Sequence, residues 1–132
     1  MTTPAMPAPE LDPFAERMPP WRMLLDPRGR VGRRDFWLWG LLLPAGAGLV
    51  LGLLAGIARL PEVASERAIN VLLLWPLLAV TAKRWHDRDR SAWWTLLWLV
   101  PVLGWLWTLV ACGFLRGTPG ANRYGAEPGD PA

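Results

Sequence analysis

Residues 36–58 read FWLWGLLLPAGAGLVLGLLAGIA, 23 positions without one charged side chain. At about 1.5 Å of rise per residue, a helix of that length crosses the roughly 30 Å hydrocarbon core of a bilayer. Gly32, Arg33, Arg34 and Asp35 stand immediately before it. Gly32 serves as a weak N-cap. Asp35, three residues on, is placed to reach back to a free backbone N–H, and its carboxylate suits the positive end of the helix dipole.

Two further blocks follow. Residues 92–115 form a second long stretch without charge, 24 positions, with Ser91 as N-cap and Trp93 and Trp94 placed for an interfacial aromatic belt. Residues 68–82 are shorter, and a span over 66–83 needs Arg67 and Lys83 to snorkel to the two interfaces. Its helix can begin as early as Pro61, whose missing N–H costs nothing there, with Glu62 in the first turn. Each block holds one proline (Pro44, Pro76 and Pro101) expected to kink its helix. The fold class that follows is all-α, an integral membrane protein with three transmembrane helices over about 36–58, 66–83 and 92–115. Residues 1–27, with seven prolines, read as a disordered or interfacial N-terminal tail. Residues 28–116 form the three-helix domain. Residues 117–132 form a Gly/Pro-rich tail, disordered from 126 on, in which Thr118-Pro119-Gly120-Ala121 fits a type II turn.

Composition agrees. In 132 residues, 52% are hydrophobic and ten are Trp, more apolar surface than one water-soluble core of this size can hide. The net charge is +3, with 13 Arg and one Lys flanking the apolar blocks. That placement favours an anionic membrane surface over nucleic acid as partner. The lone Cys112 excludes an intrachain disulfide and reads as a buried packing residue. The segment before the first span and residues 83–91 carry ten Lys and Arg against four elsewhere, so the positive-inside rule predicts a cytoplasmic N-terminus and, with three spans, a C-terminus outside.

Gly40, Pro44, Gly48, Gly52 and Gly56 recur every four residues and make a small-residue stripe, a candidate helix-packing face within the chain or between copies. The densest polar run is Lys83-Arg84-Trp85-His86-Asp87-Arg88-Asp89-Arg90-Ser91. In it Asp87 can pair with Arg84 or Arg90, and the cationic excess suits anionic lipid headgroups. His86 is the only histidine, which excludes a His-rich metal site within one chain, and no nucleophile stands beside it. No cofactor or metal is implied.

The ordered set Gly29-Arg30-Val31-Gly32-Arg33-Arg34-Asp35-Phe36-Trp37, Arg84-Trp85-His86-Asp87-Arg88-Asp89-Arg90-Ser91-Ala92-Trp93-Trp94, Pro101-Val102-Leu103-Gly104-Trp105 and Gly117-Thr118-Pro119-Gly120-Ala121-Asn122-Arg123-Tyr124-Gly125 resembles the domain of unknown function 805 family, small proteins of the bacterial inner membrane. The resemblance covers about residues 28–128. The chain departs from the family's usual Ser at Gly32, Leu at Trp85 and Gly at Asp89. The resemblance implies location and fold, not a biochemical role. Its polar residues give the candidate cluster: Arg30, Arg33, Arg34 and Asp35 with Arg84, His86, Asp87 and Arg90, at headgroup level. Asn122 and Arg123 are expected on the opposite side. The function expected is that of a non-enzymatic helix-packing or interaction component with a basic cytoplasmic face. Its partners are the lipid bilayer, anionic lipid headgroups, and a second copy or another membrane protein. A small channel or transporter subunit and a lipid-headgroup-modifying enzyme acting through His86 and Asp87 are the alternatives.

Overall fold

The computed structural model describes residues 18–128; the disorder expected of 1–13 lies outside them, as does that expected of 126–132 from residue 129 on. The regular elements of the described residues are all helices, apart from one isolated bridge between Asn122 and Gly125. Helix α1 (Pro20–Leu25) opens with Pro20 at its first position, where a proline removes no hydrogen bond. Helix α2 (Arg33–Ile57) runs for 25 residues. Its stretch Phe36–Leu42 is π-helical, just ahead of Pro44. A ring at Pro44 clashes with the carbonyl four residues back and cannot donate to it, and a widened turn relieves both faults. Helix α3 (Glu62–Asp87) runs for 26 residues, with Pro61 as N-cap, Glu62 in the first turn and Pro76 inside.

Both helices end in the same way. Arg59 and Asp89 take left-handed φ of 54° and 56°, and the N–H groups of Leu60 and Arg90 close on the carbonyls of Ala55 and Trp85. This is the Schellman arrangement, which satisfies the last carbonyls of a helix and usually employs glycine. At about 1.5 Å per residue α2 and α3 are each roughly 37–39 Å long, enough to cross a bilayer.

The expected third span over 92–115 is not one helix. It consists of a 3-10 arm (Ala92–Leu99) and helix α4 (Leu103–Gly113), folded back on each other at Pro101. Each arm is about 16 Å long, half of a hydrocarbon core. Val102 forms the tip at φ 64° and ψ −67°, with Leu103 N–H donating to Pro101 C=O at 2.8 Å. These are the angles of a classic γ-turn. The arms touch closely because Gly104 lies against the Leu97 carbonyl, where any Cβ would collide. Trp105 Nε1 donates to Trp98 C=O at 2.9 Å. The hairpin therefore returns residues 114–125 to the end of the molecule from which it started.

Burial is concentrated at that end. Met23, Val31, Phe36, Val80, Trp85, Ala111 and Cys112 form the closed core, and Lys83 and Arg84 are fully buried beside it. The shafts of the helices are bare: Ile57 is 79% exposed, Val71 72% and Leu99 78%. Apolar side chains uncovered on this scale have no place in water. The glycine stripe divides along its length. Gly40 packs on Val80 and Gly48 on Leu73, which joins α2 to α3, while Gly52 and Gly56 meet nothing within 4 Å.

Candidate functional site

The site is built on the last turn of α3. Three of its side chains satisfy backbone groups that other elements leave open. Lys83 Nζ donates to the carbonyls of Arg22 and Met23 at 2.5 and 2.6 Å, closing the C-terminal end of α1. Arg84 Nε donates to Cys112 C=O at 2.6 Å and its Nη2 to Leu115 C=O, closing the end of α4. A cation at a helix C-terminus answers both the orphan carbonyls and the negative end of the dipole. Lys83, expected to snorkel toward water, is instead an internal cap. The segment 83–87, placed by the sequence at and beyond the end of the span 66–83, continues α3 and is buried.

Asp87 holds the centre. Its Oδ1 accepts from Arg30 Nε and Nη2 at 3.0 and 2.8 Å, and its Oδ2 accepts from Arg84 Nη1. Arg30 also donates to the carbonyls of Thr118 and Gly120 at 2.7 and 2.6 Å. Thr118 N–H and Oγ1 both donate to Asp87 C=O at 2.8 Å. Asn122 Nδ2 donates to His86 C=O and to Thr118 Oγ1. His86 Nδ1 donates to Gly29 C=O at 3.1 Å, since a carbonyl can only accept, and its ring stacks on Tyr124 with centroids 4.0 Å apart. Gly29 itself turns the chain at φ +93°. Gly117 is required as well, because a Cβ there would fall onto the Asp87 carboxylate.

Of the eight polar candidates, the structure joins Arg30, Arg84, His86 and Asp87 in this network. Arg33 lies at its edge, donating to Phe114 C=O at 3.3 Å. Asp35 is half-buried in the first turn of α2, and Arg34 is exposed. Arg90 points outward, its guanidinium 4.9 Å from the Trp94 ring centre. Asn122 and Arg123, expected on the opposite side, belong to the same end: Arg123 pairs with Asp89 at 3.1 Å. The expected separation fails because the hairpin brings the tail back. The tail itself is ordered through Gly125 by these bonds, and the Gly120 φ of +69° suits the third position of the expected type II turn. Beyond it, Glu127 Oε2 accepts from Gly120 N–H at 2.8 Å.

Sequence reasoning missed Lys83, Gly117, Thr118 and Tyr124 as parts of this end. Their signal was present: the motif around Thr118 stands in the same ordered set as the one around Asp87, and a hairpin at Pro101 would have let the two meet. In front of α2, Asp26 is held below the usual carboxylate range, chiefly by the N–H of Arg28.

Chemically the centre is closed. Both oxygens of Asp87 are engaged by guanidinium groups, and one face of the His86 imidazole is covered by Tyr124. Two arginines against one carboxylate leave a positive excess. Among the described residues no three His, Cys, Asp or Glu side chains converge as metal ligands. A cavity of about 340 Å³ opens beside the cluster, between Gly32 and Arg33 on one wall and Arg116 to Pro119 on the other.

The family model described as "Protein of unknown function (DUF805)" matches residues 24–126. The Escherichia coli (strain K12) "Inner membrane protein YhaH" is 38% identical over 105 residues, covering 76% of this chain and 85% of the relative. "Inner membrane protein YhaI" is 38% identical over 102 residues, with 76% and 83% covered. "Uncharacterized protein YiiR" of the same organism is 38% identical over 127 residues, with 78% and 86% covered. No solved structure matches the chain significantly. The chain belongs to the DUF805 family, and its relatives include inner membrane proteins of Escherichia coli.

Proposed function

We propose that the protein is a non-enzymatic component of the bacterial inner membrane that meets anionic lipid with a basic cytoplasmic face. In this reading α2 and α3 cross the bilayer, the 92–113 hairpin enters the cytoplasmic leaflet and leaves it again, and both termini lie inside. The observation that carries it is the sorting of charge. Among the described residues only Arg59 and Arg67 of the Lys and Arg lie at the α2–α3 turn, together with Glu62 and Glu66. All the others gather at the end that holds both tails. The positive-inside rule assigns that end to the cytoplasm more decisively than the three-span reading allowed.

The charges also divide by role. Arg30, Arg84 and Asp87 are used up internally, whereas Arg34, Arg90 and Arg116 are exposed. Basic groups at this level attract anionic headgroups at about 1 kcal/mol each. The saturated carboxylate of Asp87 argues for a structural role over lipid chemistry. The channel alternative gains little from the seam between α2 and α3: Val80 and Leu73 close it against Gly40 and Gly48, and the cavity of about 440 Å³ between Gly52 and Asn70 is confined to the half toward the α2–α3 turn. The open Gly52 and Gly56 suit lateral association with a second helix.

Topology reporters test the reading. A reporter fused after residue 132 should be active as a cytoplasmic marker, and one inserted between Arg59 and Pro61 as an external one. A C-terminal reporter found outside would refute the two-span arrangement.

A further inference from the structure

The geometry points to a phosphate-binding pocket at headgroup level, between the start of α2 and the segment that follows α4; this deepens the lipid-facing reading above and rests on it. Gly32, Arg33, Arg84, Arg116, Thr118 and Glu127 are among the residues that line the cavity of about 340 Å³. That is the lower end of the size range of small-molecule sites.

Its charge is set by what is already spent. Arg84 and Asp87 line the floor and Arg30 backs Asp87 from outside the lining, so the buried cluster under the cavity carries one net positive charge. Arg33 is anchored by a single bond to Phe114 C=O. Arg116 is exposed and makes no hydrogen bond or ion pair among the described residues. Glu127 opposes an anion, but its Oε2 is drawn to Gly120 N–H at 2.8 Å. The N–H groups of Arg33 and Arg34, the first of the 25-residue helix α2, have no partner within the helix, and Gly32 and Arg33 form the wall from which they start. Two movable guanidinium groups and a fixed positive floor are the chemistry that binds a phosphate oxyanion.

The pocket's depth selects the kind of phosphate. Directly beneath Arg33, Trp37 Nε1 donates to Gly113 C=O and the Trp37 ring packs edge-on against Phe114. Tryptophan marks the interface between headgroups and hydrocarbon. A phosphate held between Arg33 and Arg116 therefore lies where a phospholipid carries its own. A free phosphate group would offer the same oxygens.

Native mass spectrometry of the full chain in detergent micelles separates these sources. The probes are phosphatidylglycerol, phosphatidylcholine and inorganic phosphate. The parent and Arg90→Gln, which removes one charge from the same face outside the pocket, should retain phosphatidylglycerol over phosphatidylcholine. The double variant Arg33→Gln/Arg116→Gln should bind phosphatidylglycerol about tenfold or more weakly, from the loss of two basic groups near the phosphate. Should the double variant fail to fold, Arg116→Gln alone serves, since Arg116 supports nothing else. Binding of inorganic phosphate with the same arginine dependence and no lipid preference makes the free anion the ligand and keeps the pocket. Equal loss in Arg90→Gln, or no loss in the double variant, overturns it. Micelles have no sides, so a wrong topology would leave this result intact and the two proposals fail separately.

Discussion

Asp87 is the residue on which the basic end depends, because it is the shared counter-charge of two buried arginines. Replacing it by Asn leaves Arg30 and Arg84 without compensation, and breaking a buried pair in this way costs about 3–5 kcal/mol. Asp87→Asn should therefore lower the thermal midpoint of the detergent-solubilised protein sharply, whereas Asp89→Asn should barely move it. The Arg123–Asp89 pair is 65% and 45% exposed at its side chains, and such pairs contribute less than about 1 kcal/mol. Gly117→Ala tests the same centre sterically. Its Cβ would displace the Asp87 carboxylate, and overpacking of this kind costs about 1–3 kcal/mol in the same melting experiment. The family's frequent glycine at position 89 also has a physical reason here: the residue sits at φ 56° in a Schellman cap, a conformation glycine adopts freely.

At the level of elements, the sequence was most legible where length alone decides. The uncharged run from Phe36 could only be a long apolar helix, and Pro61 with Glu62 marked the start of α3 correctly. The run over 92–115 misled for a definite reason. Freedom from charge reports residence in an apolar medium, but says nothing about continuity of the helix. Pro101 was visible, yet a proline produces either a kink or a reversal, and the choice lies with Val102 and with Gly104 against Leu97. Val102 pays for that reversal with a positive φ, which costs a β-branched residue on the order of 1–3 kcal/mol. Val102→Gly should raise the thermal midpoint, because the side chain is 59% exposed and gives up little packing. The glycine stripe makes a paired prediction. Gly48→Leu should disrupt the α2–α3 seam against Leu73 and lower the midpoint, while Gly52→Leu should leave the monomer's midpoint unchanged. Any loss of crosslinked dimer in Gly52→Leu then reports on association alone.

Taken whole, the molecule is organised opposite to a water-soluble domain: polar groups form the closed interior of one end, and apolar shafts stand uncovered. The motif residues of that end were all recognisable in the sequence. Their convergence was not, because it depends on the direction in which the last apolar block runs. The network also imposes an order in time. Arg30 and Asp87 are 57 positions apart, and the bonds from Thr118 to Asp87 span 31 more. While the chain emerges from the ribosome, the first two hydrophobic segments can enter the bilayer, but the arginines beside Asp87 stay only partly matched. The knot tightens when residues 117–125 are made. A chain cut short after Arg116 would keep its apolar segments and its address, yet remain unfastened at one end. Pulse-chase labelling should then find it cleared by quality-control proteolysis much faster than the intact protein.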